Sequence, residues 1–314
     1  MSLKRPREEP EPEKKAEFKP IDGNATSKEV QAQLTTEVTA LKDSGKALPV
    51  LAVILVGERK DSQTYVRMKT QTCEKIGMGS RQFNYPETAT QDEILSKIKS
   101  LNEDSSVNGI LIQLPLPKHM DEFTVINSVD PLKDVDGLHQ INAADVYSNG
   151  HQAGLISCTP LGCIELLDRA GVTIAGKHAV VLGRSALVGK PVAQLLLSRN
   201  ATVTTCHSKT EGLQDILKTA DILVAAIGKA EFVRGDWVKP GAVVIDVGIN
   251  PITDSTKKAG YRLVGDVNYQ EVREVAAQAT PVPGGVGPMT VIMLLRNTLK
   301  AYKMQHGLSE KSKG

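Results

Sequence analysis

A chain of 314 residues with a formal net charge of +2 is long enough for two domains of about 150 residues each and lacks the basic excess of a nucleic-acid face. Its four cysteines (Cys73, Cys158, Cys163, Cys206) form no C-x-x-C pair, which speaks against a disulfide frame or zinc site and for a reducing compartment. No apolar run approaches the ~18 residues that span a bilayer, so no membrane partner is expected, and no internal repeat is found.

Residues 1–20 mix both charges with few apolar side chains and are expected to form a disordered tail. Lys4-Arg-Pro-Arg7 reads as a solvated segment in preference to a nuclear-import signal, and the acid-rich tail, unlike a transit peptide, points to the cytoplasm. From residue 22, helices and strands alternate. A helix is predicted over 28–44 with Ser27 as N-cap, then a strand over 49–56 that is almost wholly apolar and so buried on both faces. Residues 62–76 form a predicted helix, capped by Asp61 or Ser62 and ended by Gly77. A strand at 81–85, a helix at 91–101, a strand at 109–114 and a helix at 123–129 complete a βαβαβ order, which predicts a largely parallel sheet. Thr159-Pro160 opens a helix over 161–170. Strands follow at 178–182, 201–205, 222–226 and 242–247, with a short one near 262–264. The last helix covers 288–305, and residues 307–314 are expected to fray.

The segment His178-Ala-Val-Val-Leu-Gly-Arg-Ser-Ala-Leu-Val-Gly-Lys-Pro191 reads as a buried strand, a glycine turn and a helix opening at Pro191. Gly183 and Gly189 permit close backbone approach, and the helix start offers free N–H groups to a phosphate. This is a dinucleotide-binding turn in variant form. The next strand ends in Cys206-His207-Ser208-Lys209, where an NAD enzyme usually places an acid. With Arg184 in the first turn, these groups suit a 2′-phosphate, so NADP is the favoured cofactor over the alternative of a plain polar loop.

Tyr65 and Lys69 are four apart and share a helix face, as a site pair or as an unremarkable surface pair. Gln113 ends an apolar strand, as a satisfied core amide or a site residue. Asp134 and Asp136 flank Val135 as turn formers, as a metal pair, or as one cap and one ligand-binding acid; no metal is expected, because no further ligand cluster accompanies them. The loop Pro281-Val-Pro-Gly-Gly-Val-Gly-Pro-Met-Thr290 exposes backbone amides in a rigid frame, a composition suited to ligand binding.

Together, Ser62-Gln-Thr-Tyr-Val-Arg-Met-Lys69, Gln113-Leu-Pro-Leu116, Lys133-Asp-Val-Asp-Gly137, Cys158-Thr-Pro-Leu-Gly162, Val181-Leu-Gly-Arg-Ser185, Thr204-Thr-Cys-His-Ser208, Ile245-Asp-Val-Gly-Ile249, Gly265-Asp-Val267 and the 281–290 loop resemble the methylenetetrahydrofolate dehydrogenase/cyclohydrolase family. The resemblance covers residues 22–305 and implies an α/β fold of two domains, an N-terminal α/β substrate domain and a Rossmann-like NADP-binding domain with a cleft between them. The implied boundaries are a folate-binding catalytic domain at 21–158 and 289–314, and an NADP-binding domain at 159–288.

The resemblance further implies oxidation of 5,10-methylenetetrahydrofolate with NADP, hydrolysis of the product to 10-formyltetrahydrofolate, a role in one-carbon metabolism and purine biosynthesis, and a homodimer formed through the NADP-binding domain. By this match Lys69 is the principal catalytic group, Tyr65 stacks on the folate's aminobenzoyl ring, Gln113 positions the lysine and Asp136 binds the pterin. Ile112, Leu114, Pro283, Gly284, Gly285, Val286 and Gly287 would line the folate site. Gly183, Arg184, Ser185, Val188, His207, Ser208 and Ile249 would hold the cofactor. Ile227 stands before Gly228 where many relatives carry Thr or Ser, a departure near the expected nicotinamide. Two rivals remain: a small-acid dehydrogenase of shikimate type, for which no cationic set for a substrate carboxylate is evident, and a catalytically silent NADP-binding scaffold.

Overall fold

The computed structural model describes residues 17–257 and 260–308, so residues 1–16 of the expected tail and residues 309–314 lie outside the described residues. Strand β1 (Lys19–Pro20) precedes helix α1 (Gly23–Asp43). Then come β2 (Val50–Val56), α2 (Lys60–Ile76), β3 (Gly79–Tyr85), α3 (Gln91–Glu103), β4 (Gly109–Ile112), α4 (Glu122–Asn127), α5 (Gln140–Asn149) and α6 (Cys158–Arg169). The second half runs β5 (His178–Leu182), α7 (Gly189–Ser198), β6 (Thr202–Cys206), α8 (Leu213–Leu217), β7 (Ile222–Ala225) and β8 (Val243–Asp246). It ends with β9 (Asn250–Thr253), β10 (Tyr261–Val264), α9 (Tyr269–Val272), β11 (Gln278–Ala279) and α10 (Val286–Gln305).

Local chemistry sets several boundaries away from the expected ones. Asp22 Oδ1 accepts the amides of Asn24 and Ala25 at 2.8 and 3.1 Å, so Asp22 is the N-cap of α1 and Ser27 lies inside the helix. Helix α2 starts at Lys60, and Asp61, expected as a cap, sits in its first turn paired with Arg59. Gly77 ends α2 as expected, in a left-handed conformation with φ 91°. Thr90 and Glu93 close α3 with a reciprocal capping box. Helix α7 begins at Gly189, two positions ahead of Pro191. The tail expected through residue 20 gives way earlier: Lys19 and Pro20 pair in parallel with Gln278 and Ala279, and the Phe18 ring packs edge-on against Tyr269.

A three-stranded parallel sheet has the order β3-β2-β4, and a six-stranded parallel sheet the order β1-β11-β8-β7-β5-β6. Strands β9 and β10 form a separate antiparallel ladder. Alternation divides the strands between cores: Leu51, Val53 and Leu55 face one cluster, and Ala52, Ile54 and Val56 another with Ile94 and Ile98 of α3. The first cluster also takes Ala179 and Val181 of β5, Leu166 and Leu167 of α6, and Ile292 and Leu295 of α10. One continuous core therefore joins the two sheets through α6 and α10, and each fully buried Leu or Ile in it contributes about 1.5–3 kcal/mol.

Candidate active site

Helix α2 leaves the C-terminal end of β2 and carries two functional candidates one turn apart. Its inner face buries Val66, Cys73 and Ile76, and this draws Lys69 inward to 7 % exposure while Tyr65, on the adjoining edge, stays 37 % exposed. A buried ammonium needs a partner, and Lys69 Nζ donates to Gln113 Oε1 at 3.0 Å. Gln113 lies just past β4, where its backbone N–H still reaches Ile54 O at 2.9 Å. Its side-chain Nε2 donates to Leu114 O at 2.8 Å, which fixes the amide so that Oε1 faces the amine. Ile112 closes β4 as a buried neighbour.

The two acids of the Asp-Val-Asp turn have different uses. Asp134 Oδ2 accepts His139 N at 2.8 Å and Asn142 Nδ2 at 2.9 Å, so it is an internal turn-forming carboxylate, raised in pKa by burial. Lys133 is structural as well: its Nζ donates to Leu101 O, Asn102 O and Asp104 O at 2.9, 2.7 and 2.8 Å, closing the carbonyl end of α3, and burial lowers its pKa. Asp136 remains, half-buried and engaged in none of these contacts. The buried Cys158 thiol locates it: burial first, then the nearby Asp136 carboxylate, raise that thiol's pKa, and the Lys69 ammonium opposes them. Lys69 and Asp136 thus both act on one sulfur.

The glycine loop is gripped by α1. Asn24 N donates to Gly284 O at 3.2 Å, and Gly284 takes φ 104°, a conformation that favours glycine. Val286 and Gly287 form the first turn of α10, with Pro283 just ahead of the loop glycines. A β-carbon built on Gly287 would lie 3.6 Å from Ile249 Cδ1, so this loop and the 247–250 segment after β8 converge.

On the second sheet, the β5–α7 turn and the end of β6 line a cavity of about 300 Å³ that includes Gly183, Arg184, His207, Ser208, Ile227 and Lys229. Gly183 has φ 124°, and a β-carbon there would fall 2.2 Å from Ala226 O, so only glycine keeps this wall closed. Arg184 has no ion-pair partner among the described residues, and no carboxylate lines the cavity. Ser185 Oγ accepts the amides of Val188 and Gly189 at 3.2 and 3.3 Å, filling the helix start with a neutral acceptor. His207 Nδ1 accepts Lys209 N at 3.2 Å, which leaves Nε2 as its donor. A cationic, hydroxyl-bearing cavity with close glycine backbone fits a phosphorylated dinucleotide.

Comparison with known proteins bears on this arrangement. The catalytic-domain model of tetrahydrofolate dehydrogenase/cyclohydrolase matches residues 21–136, and its NAD(P)-binding-domain model matches residues 157–306. A bifunctional protein FolD from Prosthecochloris aestuarii is 49% identical over 292 residues, 92% of this chain and 99% of that protein. The chain belongs to the tetrahydrofolate dehydrogenase/cyclohydrolase family. The chloroplastic bifunctional protein FolD 4 of Arabidopsis thaliana is 50% identical, with 91% of this chain and 79% of that one covered. The structure of the Trypanosoma brucei methylenetetrahydrofolate dehydrogenase-cyclohydrolase, complexed with NADP cofactor and inhibitor, superposes with a TM-score of 0.87 at 43% identity, covering 92% of this chain and 98% of that one. Against this family frame, two side chains stand out that sequence reasoning passed over. Asn297, on the otherwise apolar stripe of α10, donates to Val135 O at 2.9 Å and Ile156 O at 2.7 Å, clamping the backbone beside Asp136. Its signal was a lone amide among buried apolar positions. Cys158, the other, was visible only as part of a motif.

Proposed function

We propose that Lys69, Gln113, Tyr65 and Asp136 serve both reactions of this family in a single site. The chain is a bifunctional methylenetetrahydrofolate dehydrogenase and methenyltetrahydrofolate cyclohydrolase that uses NADP. The observation that carries the assignment of residues is the buried Lys69–Gln113 pair, with Lys69 and Asp136 both near enough to Cys158 to act on its thiol.

Asp136, which accepts no backbone N–H among the described residues and neighbours the Cys158 thiol, accepts the adjacent amino and ring N–H donors of a pterin and thereby fixes the folate's depth. The exposed ring of Tyr65 lies one helical turn, about 6 Å, from Lys69 and suits stacking on the aminobenzoyl ring. Ile112, Leu114 and the backbone from Pro283 to Gly287 supply the walls. The cavity lined by Gly183, Arg184, His207 and Ser208 would hold NADP, which would supply the hydride acceptor for the methylene carbon. That step asks the protein for orientation alone, which the converging Ile249 and Gly287 segments support. In the second step water adds to the methenyl carbon and gives a proton to Lys69 Nζ in its neutral amine form; the carbinolamine then breaks its bond to N5, which takes up a proton, leaving the formyl group on N10. Gln113 holds that amine through a neutral oxygen and so orients it without a counter-charge. Protein mixed with NADP and methylenetetrahydrofolate should reduce the cofactor with little build-up of the methenyl absorbance band; a full methenyl build-up would remove the coupled hydrolysis from the proposal.

Arg184 and Ser208 are assigned the 2′-phosphate, and Gly183, Ser185, Val188 and His207 the pyrophosphate and adenosine ribose. Arg184→Ser is expected to raise KM for NADP by about ten- to a hundredfold, with KM for NAD little changed. Steady-state kinetics with both coenzymes would decide it, and an equal rise for both would count against the assignment. With domains at 21–158 plus 289–314 and at 159–288, the folate site is assigned to the first, with the 283–287 backbone of the second as one wall, and the cofactor site to the second.

A homodimer is assigned to the β6 edge. That strand ends the sheet, and Tyr147 and Leu197, 76 % and 53 % exposed, flank a cavity of about 580 Å³ between α5, α7 and β6. Leu197→Glu should yield a monomer in sedimentation at concentrations where the parent is dimeric. A cytoplasmic location is part of the proposal, and a 10-formyl product suits supply of formyl groups to purine biosynthesis.

A further inference from the structure

The Ile245-Asp-Val-Gly and Gly265-Asp-Val motifs supply no group to the site described above, yet they hold the most heavily bonded carboxylates near it. Asp266 is fully buried. Its Oδ2 accepts Ile227 N at 2.6 Å and Gly228 N at 3.0 Å. Its Oδ1 accepts Lys229 N at 2.8 Å and Asn250 Nδ2 at 3.0 Å. Three successive backbone amides and one side-chain amide therefore converge on one carboxylate, two donors to each oxygen. Ile227 and Lys229 line the cofactor cavity, and Asn250 follows Ile249, which approaches Gly287.

Asp266 is itself anchored from beneath. Asp246 Oδ1 accepts Asp266 N at 2.8 Å and Gly248 N at 3.0 Å, and its Oδ2 accepts Val267 N at 3.0 Å. Asp246 N in turn donates to Thr280 Oγ1 at 2.7 Å, at the foot of the glycine loop. The packing is reciprocal: a β-carbon on Gly265 would strike Asp246 Oδ2, and one on Gly248 would meet Asp266 Oδ1 at 2.2 Å.

The geometry points to Asp266 as a positioning residue for the reaction: its carboxylate sets the 227–229 wall of the cofactor cavity and ties that wall to the Ile249 segment. This rests on the reading of that cavity as the NADP site. The side chain touches neither substrate nor cofactor; it replaces the free amides of a bare loop with a fixed anion, which makes the wall rigid before any ligand arrives.

The test is Asp266→Asn. Asparagine keeps the volume but converts one oxygen into an NH₂ group, so two N–H donors lose their acceptor and the loop must shift. KM for NADP in the dehydrogenase reaction should rise about tenfold or more. Methenyltetrahydrofolate hydrolysis, assayed without NADP, should stay within about twofold of the parent, a split that general destabilisation would not give. NADP KM within about twofold of the parent overturns the proposal, as does a parallel fall of both activities. Arg184→Ser is measured beside it. If Arg184→Ser raises NADP KM and Asp266→Asn does not, the positioning role alone fails; if neither does, the cofactor-site reading fails with it. Should Asp266→Asn not fold, Asn250→Ala decides: it removes one donor from the same carboxylate and should raise NADP KM about two- to fivefold with hydrolysis unchanged, and no change in NADP KM overturns the proposal.

Discussion

Lys69→Met is expected to cut methenyltetrahydrofolate hydrolysis by about 10²–10⁴-fold while hydride transfer persists in part. Methionine fills most of the buried stem, so the packing beside Val66 and Cys73 survives and the amine alone is removed. The hydrolytic step needs a group that takes a proton from water, and the amine held by Gln113 at 3.0 Å is the group proposed for it. Hydride transfer moves no proton, so it needs only the folate and nicotinamide held in register. The two activities, measured on one preparation, should part company. Undiminished hydrolysis would refute the role of Lys69, and equal loss of both would make the residue a general folate-binding group.

Asp136→Ala should lower kcat/KM of both reactions together, by about 10²–10³-fold. Two charge-assisted hydrogen bonds to the pterin, each worth roughly 1.5–3 kcal/mol before compensation by water, account for a loss of that size. Because Asp136 holds no backbone group of its own chain in the structure, thermal stability should change little. Asp134→Ala makes the contrast, since it strips the acceptor from His139 N and Asn142 Nδ2 and should depress Tm first. Kinetics and melting curves on the pair would separate the roles. A large Tm loss for Asp136→Ala with normal kcat/KM per folded molecule would invert them.

Two strands read to within a residue of their ends, β2 and β5, are buried on both faces. Residues 50–56 and 178–182 are uninterrupted apolar runs, and each lies between two packed clusters. Elements held by polar contacts left weaker traces. Helix α5 buries only Asn142 and Val146, so no apolar stripe announced it. Strand β9 contains Pro251, an ordinary sign against strand, which an isolated two-stranded ladder tolerates. The start of α1 was misplaced because Ser27 has the residue type of a cap, whereas the amides of Asn24 and Ala25 turn to Asp22. In the site, Lys69 and Gln113 were each legible as a residue at an element's functional end, and their pairing came from the family resemblance, not from the residues themselves. They are 44 positions apart, and only the sheet order that sets β4 beside β2 brings them together. The division of labour between Asp134 and Asp136 was equally hidden, since it depends on where His139 and Asn142 return.

The core that runs unbroken through α6 and α10 has a bearing on how such a catalyst can change over evolutionary time. A bi-lobed enzyme with a loose linker can exchange one lobe for another and reset its aperture by altering the hinge. Here the side-chain volumes of Leu166, Ile292 and Leu295 serve as shims between the lobes, so a substitution far from either ligand would retune the span that hydride must cross. Innovation in this architecture is therefore confined to loop tips and strand ends, and neither lobe can be handed on as a separate cassette.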